Sequence, residues 1–456
     1  MNKRLLSIIV FIFSIILSGC SIIELPNNLI TKPSSYISKQ KLDPIMSLLL
    51  KEGKTLTIAM GDSERKSIRE VDLDNDGKNE IILLYKKDNN YYNNYGVMIL
   101  KQKDNVWEVI NNITFSCKNI DIVDYKDITG DGKPEILVGV NSSDKNNNTL
   151  FIYSYHRGFY ETLGNFPYSN LQIYDIDGDN KNELITFNTT DDKSKTSSIL
   201  KLYKFNDIKP TLLDSFELNR AIVSSKMTIG KASKDINGIF LNLNLDNKSF
   251  YTDLFILKNG KLKEVLENEK NLDVKKIKTY QRYENPSKSL NIDDVLKDIV
   301  KDINSDGILE IGYAKSNNSN LNIYTPSNLM YWNQWDENNG LSISHREYYN
   351  ADYKYRIGIP LSLGMNFKIL QNVKEENTLN RVDFLTGDYT NKNNLLFSIK
   401  IYSKDQWALN QTMSSSGDYV ILKEDEDRFY VGFLNNKLVK SNLTLDYIKD
   451  VFKPIE

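Results

Sequence analysis

Four stretches of the chain set oxygen-bearing side chains at one spacing. The first offers Asp72, Asp74, Asp76 and Glu80, with Gly77 before Lys78. The second offers Asp127, Thr129, Asp131 and Glu135, with Gly132 before Lys133. The third offers Asp175, Asp177, Asp179 and Glu183, with Asn180 before Lys181. The fourth offers Asp302, Asn304, Asp306 and Glu310, with Gly307 before Ile308. Each copy therefore has oxygen ligands at positions 1, 3, 5 and 9 and a turn residue at 6. Such a set suits a hard cation that takes six or more oxygens at about 2.4 Å. Gly or Asn at position 6 accepts the left-handed backbone that brings the loop round. Position 7 would offer only its carbonyl, which fits its indifference to side chain. Three or four carboxylates within nine residues repel one another unless a cation sits among them.

An EF-hand begins in the same way but needs a bidentate Glu at position 12. Here position 12 is Leu83, Val138, Thr186 and Tyr313. The elements that must hold the loops are strands, because an apolar run follows each one directly: Ile81 to Tyr85, Ile136 to Val140, Leu184 to Phe187 and Ile311 to Ala314. A single acidic turn of this kind would pass for an ordinary hairpin loop; four at one spacing point to calcium. Ligand charge orders the loops, since affinity rises with it when geometry is shared. Those starting at Asp72 and Asp175 have four carboxylates and would fill first. The loop with Thr129 would fill last.

The motif resembles the calcium hairpin of FG-GAP/VCBS repeats, found in integrin-like β-propellers and in many bacterial surface proteins. The resemblance covers roughly residues 55–345. It implies a propeller and bound Ca2+, and leaves open what the propeller binds, since one fold carries many functions.

At the amino terminus Lys3 and Arg4 precede an apolar run from Leu5 to Leu17, too short for an ordinary membrane span. Leu17, Ser18 and Gly19 then lead into Cys20. A basic start, an apolar centre and small residues at the cut describe a secretory signal. The Cys matches the bacterial lipobox, so this second resemblance implies cleavage after Gly19 and acylation of Cys20. Several acyl chains on one residue anchor durably. The expected partner is thus the membrane, through lipidated Cys20. Cys117 is the only other cysteine, so no disulfide framework is available within the mature chain. It reads as a small core residue.

The expected organisation is a signal peptide at 1–19, a lipidated tether at 20–40, a propeller at 41–347 and a C-terminal α+β module at 348–456. Asp43 and Pro44 open a short helix that Gly53 would end. Between motifs the chain gives three strand-like runs, which with the strand leading into each motif make four per unit, the content of a blade. The motifs begin 55, 48 and 127 residues apart, so one unit should lack an acidic loop. The stretch from Met227 to Phe240 fits that unit. The fold class is mainly β: a β-propeller of about five four-stranded blades, with seven as the alternative, then the α+β tail. In the tail, Tyr355–Pro360, Leu395–Tyr402, Tyr419–Leu422 and Arg428–Phe433 read as strands. Thr444 would cap a closing helix.

Hydrophobic residues at 40% suffice for a packed core, and 27 Tyr with 18 Phe favour sheet. A net charge of −2 gives no reason to invoke nucleic acid. The two histidines, His156 and His345, fall in separate units and in no zinc spacing. No nucleophile elbow or phosphate loop occurs. Two aromatic clusters, Tyr91-Tyr92 with Tyr95 and Tyr331-Trp332 with Trp335, are either ligand platforms or packing. Packing is the expectation for the second. The expected function is a membrane-anchored, extracytoplasmic binding module for protein or carbohydrate; the alternative is an extracytoplasmic hydrolase or lyase acting on polysaccharide.

Overall fold

Apolar runs broken by Asp-, Asn- and Gly-rich turns fold into antiparallel sheets in the computed structural model. It describes residues 46–455 except 48, 50–51, 63, 89–92, 143–147, 157–158, 190–196, 207, 220–221, 245–248, 267–276, 282–298, 315–328, 338–339, 351, 365–366, 387–393, 414–418 and 436–442. The expected signal segment and tether, Cys20, the expected helix opening at Asp43 and Pro44, and Tyr91 and Tyr92 lie outside the described residues. Met46, Ser47 and Leu49 are helical, and Gly53 at φ +66° stands just past them.

In the first sheet β1 (Lys54–Leu56) and β2 (Ile68–Val71) run in turn along one edge of β3 (Glu80–Asp88). β4 (Asn93–Lys103) and β5 (Val106–Ser116) complete the order. Ile81 to Leu84 have no exposed surface. That is why the run after the motif is continuously apolar: a central strand covered on both faces has no polar side to show. Burying each such side chain contributes roughly 1.5–3 kcal/mol.

Two compact units divide the chain, residues 1–122 and 123–456, the division falling inside β6 (Asn119–Lys126). The next sheet runs β6-β7-β8-β9, with β7 at Glu135–Asn141, β8 at Asn148–His156 and β9 at Phe159–Tyr168. The third runs β10 (Asn170–Tyr174), β11 (Glu183–Thr189), β12 (Ser198–Asn206) and β13 (Lys209–Leu218). The fourth runs β14 (Ser224–Lys231), β15 (Asn237–Asn244), β16 (Ser249–Lys258) and β17 (Lys261–Glu264), with β18 (Ile277–Gln281) also on β16. The fifth begins β19 (Val300–Lys301), β20 (Glu310–Ala314), β21 (Leu329–Trp335) and β22 (Leu341–Asn350). The chain is mainly β, and these sheets share one four-strand order.

Within the second unit, sheets next to each other in the chain share apolar cores. Ile185, Phe187 and Leu200 of the third sheet pack in one cluster with Ile239, Leu241 and Phe255 of the fourth. Phe240 and Leu254 of the fourth join Ile311 and Trp335 of the fifth in another. Polar ties run alongside. Asn182 Nδ2 donates to the Asp127 carbonyl at 2.9 Å, and Asn237 Nδ2 to the Asp175 carbonyl at 3.1 Å.

The tail departs from the expected boundary at 347/348, which falls inside β22. The fifth sheet continues through β23 (Tyr355–Gly358), which pairs with β29 (Phe452–Pro454) near the carboxyl end. A further sheet holds β24 (Phe367–Leu370), β25 (Asn380–Thr386), β26 (Leu395–Ser403), β27 (Tyr419–Glu424) and β28 (Arg428–Leu434), in the order β24-β25-β26-β28-β27. Two helices accompany it: α1 (Lys404–Met413), which sequence reading missed, and α2 (Leu445–Val451). Thr444 caps α2 as expected, its Oγ1 accepting from the Tyr447 N–H at 3.0 Å. Tyr331 and Tyr348 of the fifth sheet lie in one core with Phe384, Phe397 and Ile448 of the tail. Shared burial of these large rings is what joins the two segments; the Tyr348 and Phe384 centroids are 5.7 Å apart.

Candidate metal centres

All four acidic motifs connect an edge strand of a sheet to the strand paired beside it, and closely similar hydrogen bonds build each loop. Asp72 accepts the N–H groups of Asp76 (3.1 Å) and Gly77 (2.9 Å). Asp302 does the same for Asp306 and Gly307, while Asp127 accepts the N–H groups of Gly130 and Gly132, and Asp175 those of Gly178, Asp179 and Asn180. Position 5 accepts the N–H of position 7, so Lys78, Lys133, Lys181 and Ile308 are bound through backbone. These carboxylates satisfy amides that a tight turn would otherwise leave bare. Position 6 is left-handed in every copy: φ is +83° at Gly77, +85° at Gly132, +66° at Asn180 and +84° at Gly307. Position 4 is left-handed too, at Asn75, Gly130, Gly178 and Ser305. The sequence reading missed that second constraint.

The Glu at position 9 opens the second strand and is buried in each copy, with 0–1% exposed at Glu80, Glu135, Glu183 and Glu310. Its Oε2 accepts the N–H of position 2, from Leu73, Ile128, Ile176 or Ile303, at 2.9–3.0 Å. Oε1 then faces the inside of the loop. Burial pushes the carboxyls of Glu135, Glu183 and Glu310 above the ordinary glutamate value, against the pull of that N–H.

In the first and third sheets a lysine reaches into the loop from the third strand. Lys101 Nζ donates to Asp74 Oδ2 at 2.6 Å, Asp76 Oδ2 at 2.9 Å and Glu80 Oε1 at 2.9 Å. Lys204 Nζ donates to Asp177 Oδ2 at 2.8 Å and Asp179 Oδ2 at 2.5 Å, and faces Glu183 Oε1 at 3.4 Å. Partial burial works against both ammonium groups, but the carboxylates outweigh it and hold them above the ordinary lysine value. Strand register aims these side chains. Ile81 pairs with Leu100, and Leu184 with Tyr203, so one step further each lysine stands across from its glutamate.

The same register places neutral groups in the other two loops. Ser154 Oγ donates to Glu135 Oε1 at 2.9 Å, joined by Thr129 Oγ1 at 3.3 Å. Gln334 Nε2 donates to Asp306 Oδ2 at 2.6 Å and Glu310 Oε1 at 2.9 Å. In the fourth sheet, where the acids are gone, Gly238 pairs with Ile256. A Cβ on Gly238 would meet Ala232 Cβ and Leu254 Cδ1, both at 2.7 Å, so a larger residue has no room there.

Two of the loops gather carboxylate oxygens closely enough to hold a metal ion. Asp72, Asp74 and Glu80 each place a carboxylate oxygen within 4.8 Å of the others, as do Asp175, Asp177 and Glu183. Oxygens of positions 3, 5 and 9 also converge on a single point, the lysine nitrogen, in those two loops, and Gln334 Nε2 joins the oxygens of positions 5 and 9 in the loop at 302–310. That donor set, all oxygen and rich in carboxylate, suits calcium. Elsewhere, Tyr331, Trp332 and Trp335 are buried in β21 and serve packing. His345 lies beside Glu347, Nε2 to Oε1 being 3.8 Å, and Arg356 binds the same carboxylate. No helix among the described residues is long and apolar enough to cross a membrane.

No family model and no curated protein matches the chain. Among solved structures it is similar to rhamnogalacturonan lyase YesW, at 12% identity and a TM-score of 0.30 over 75% of this chain and 67% of that one. It is likewise similar to the exotype rhamnogalacturonan lyase YesX, at 11% identity and a TM-score of 0.30 over 85% of this chain and 91% of that one. At that TM-score nothing is carried over from either.

Proposed function

We propose that this protein is a calcium-stabilised β-propeller, anchored outside the cell through lipidated Cys20, that acts as a binding module for a protein or carbohydrate ligand. One observation carries the reading: the acidic loops recur at equivalent hairpins in four of the five sheets that share the strand order. Cations distributed in that way serve the sheets individually. The shared strand order and the cores between successive sheets support blades. The lipobox resemblance supports the anchor.

An ion that binds only the native state stabilises by RT ln(1 + [L]/Kd), about 2.7 kcal/mol per site at a hundredfold excess over Kd. The test uses the purified full chain in detergent, in millimolar calcium and in chelator. The expected result is a lower Tm in chelator, and saturable capture of a glycan or surface protein, with no product released. Equal melting in the two buffers would remove calcium from the reading. Release of a shortened polysaccharide would replace binding with catalysis.

A further inference from the structure

We propose that Lys101 and Lys204 are the resident cations of the loops at 72–80 and 175–183, and that divalent metal enters only the loops at 127–135 and 302–310. The inference rests on reading the motif as a cation loop and reverses the order that carboxylate counting gives.

The five sheets make the comparison internally, because register puts one residue across from position 9 in each. Where the loop has four carboxylates, that residue is lysine, at 101 and 204. Where it has three carboxylates and a neutral ligand, the residue is Ser154 or Gln334. Where the acids are missing, it is Ile256. The fourth carboxylate and the ammonium thus come and go together, as an internal ion pair would require.

Position also separates the two kinds of loop. Lys101 Nζ sits 2.6–2.9 Å from oxygens of positions 3, 5 and 9, where a metal would take the same three. An ammonium has three donors and no lone pair, so it cannot become a ligand and must leave before a metal enters. Ser154 and Gln334 differ: a hydroxyl turns its lone pair to a cation, and an amide turns its carbonyl oxygen. Glu183 supplies a second mark of a cation at its loop. Its Oε1 is fully buried without a hydrogen bond and faces only the Lys204 ammonium across 3.4 Å among the contacts of that carboxylate oxygen. A buried, unbonded carboxylate oxygen is costly unless a charge stands near it.

Calcium titration calorimetry and thermal melting of the full chain in detergent test the proposal, with Lys101→Gln and Lys204→Gln copying the side chain found at Gln334. The wild-type chain should bind two ions. Each lysine variant should melt several degrees lower in chelator, bind one further ion, and recover its melting temperature in millimolar calcium. Ser154→Lys and Gln334→Lys should each lose one ion, and they decide the matter if the lysine variants fail to fold. Four ions in the wild type, unchanged in all four variants, would overturn the proposal and leave calcium binding standing. Calcium bound by none of the proteins would remove the calcium reading and the metal half of the proposal. In that case a chelator melting deficit in Lys101→Gln and Lys204→Gln would still support the resident lysines, and its absence would overturn them.

Discussion

Glu183 ties its loop to the core through the Ile176 N–H at 3.0 Å, and that bond is independent of which cation lies on the other oxygen. A buried donor left without its acceptor costs about 1–3 kcal/mol. Glu183→Ala should therefore be destabilised by about that much, with the loss of the lysine contact added. Glu183→Gln keeps an acceptor for Ile176 and should lose clearly less. Urea unfolding of both checks this; equal midpoints would show that the N–H bond does not matter. Cys117 is a second residue with a defined expectation. It is buried, and burial pushes its thiol up to about 11. At neutral pH it should stay unmodified by a thiol reagent in the native protein and react once the chain is unfolded. Rapid labelling of the native chain at Cys117 would contradict its place in the core.

At the scale of elements, the loops depend on two left-handed residues each. A Cβ on Gly132, at φ +85°, would meet nothing within 4 Å, so its replacement costs backbone strain alone. Gly132→Ala should lower stability by about 1–2 kcal/mol, measured by denaturant unfolding in chelator so that ion affinity does not enter. No change would mean that the loop readily adopts another turn. Position 6 was legible in the sequence because three copies have Gly and one has Asn. Position 4 was not, because Asn, Gly, Gly and Ser also occupy ordinary turns. Helix α1 escaped for a different reason. It has no clear apolar stripe and is held largely by Trp407, which packs against Tyr402, Tyr419 and Phe429. Tyr402 ends the strand directly before the helix, but Tyr419 and Phe429 lie on the two strands after it, beyond any helical pattern.

At the scale of the whole molecule, the described part of the second unit runs from acidic hairpin sheets into a tail that shares a core with the fifth sheet. The two segments should unfold together rather than as separate modules. The anchor is a question for the intact chain in its cell. Cys20→Ser should leave the precursor uncleaved or shift the protein out of the membrane fraction on fractionation. A processed, membrane-bound product in that variant would exclude lipidation at Cys20.

The sequence by itself determined what depends on neighbours along the chain. The oxygens at positions 1, 3, 5 and 9, the turn at 6, the apolar strand that follows and the cap at Thr444 are all set within about ten residues, where local geometry decides the outcome. The sheet that lost its acids was legible for the same reason, from the stretch after Met227. Tertiary structure alone decided what meets those oxygens. Lys101 lies 27 residues beyond Asp74, and Lys204 the same distance beyond Asp177. That equal spacing was the one trace of the ion pairs in the sequence. It had no meaning until strand register set each lysine across from its glutamate. The extent of the fifth sheet was decided in the same way, since β29 reaches β23 only through a pairing that closes nearly a hundred residues of chain. Register and long-range pairing are properties of the folded sheet, and a one-residue slip would have turned each lysine to the opposite face.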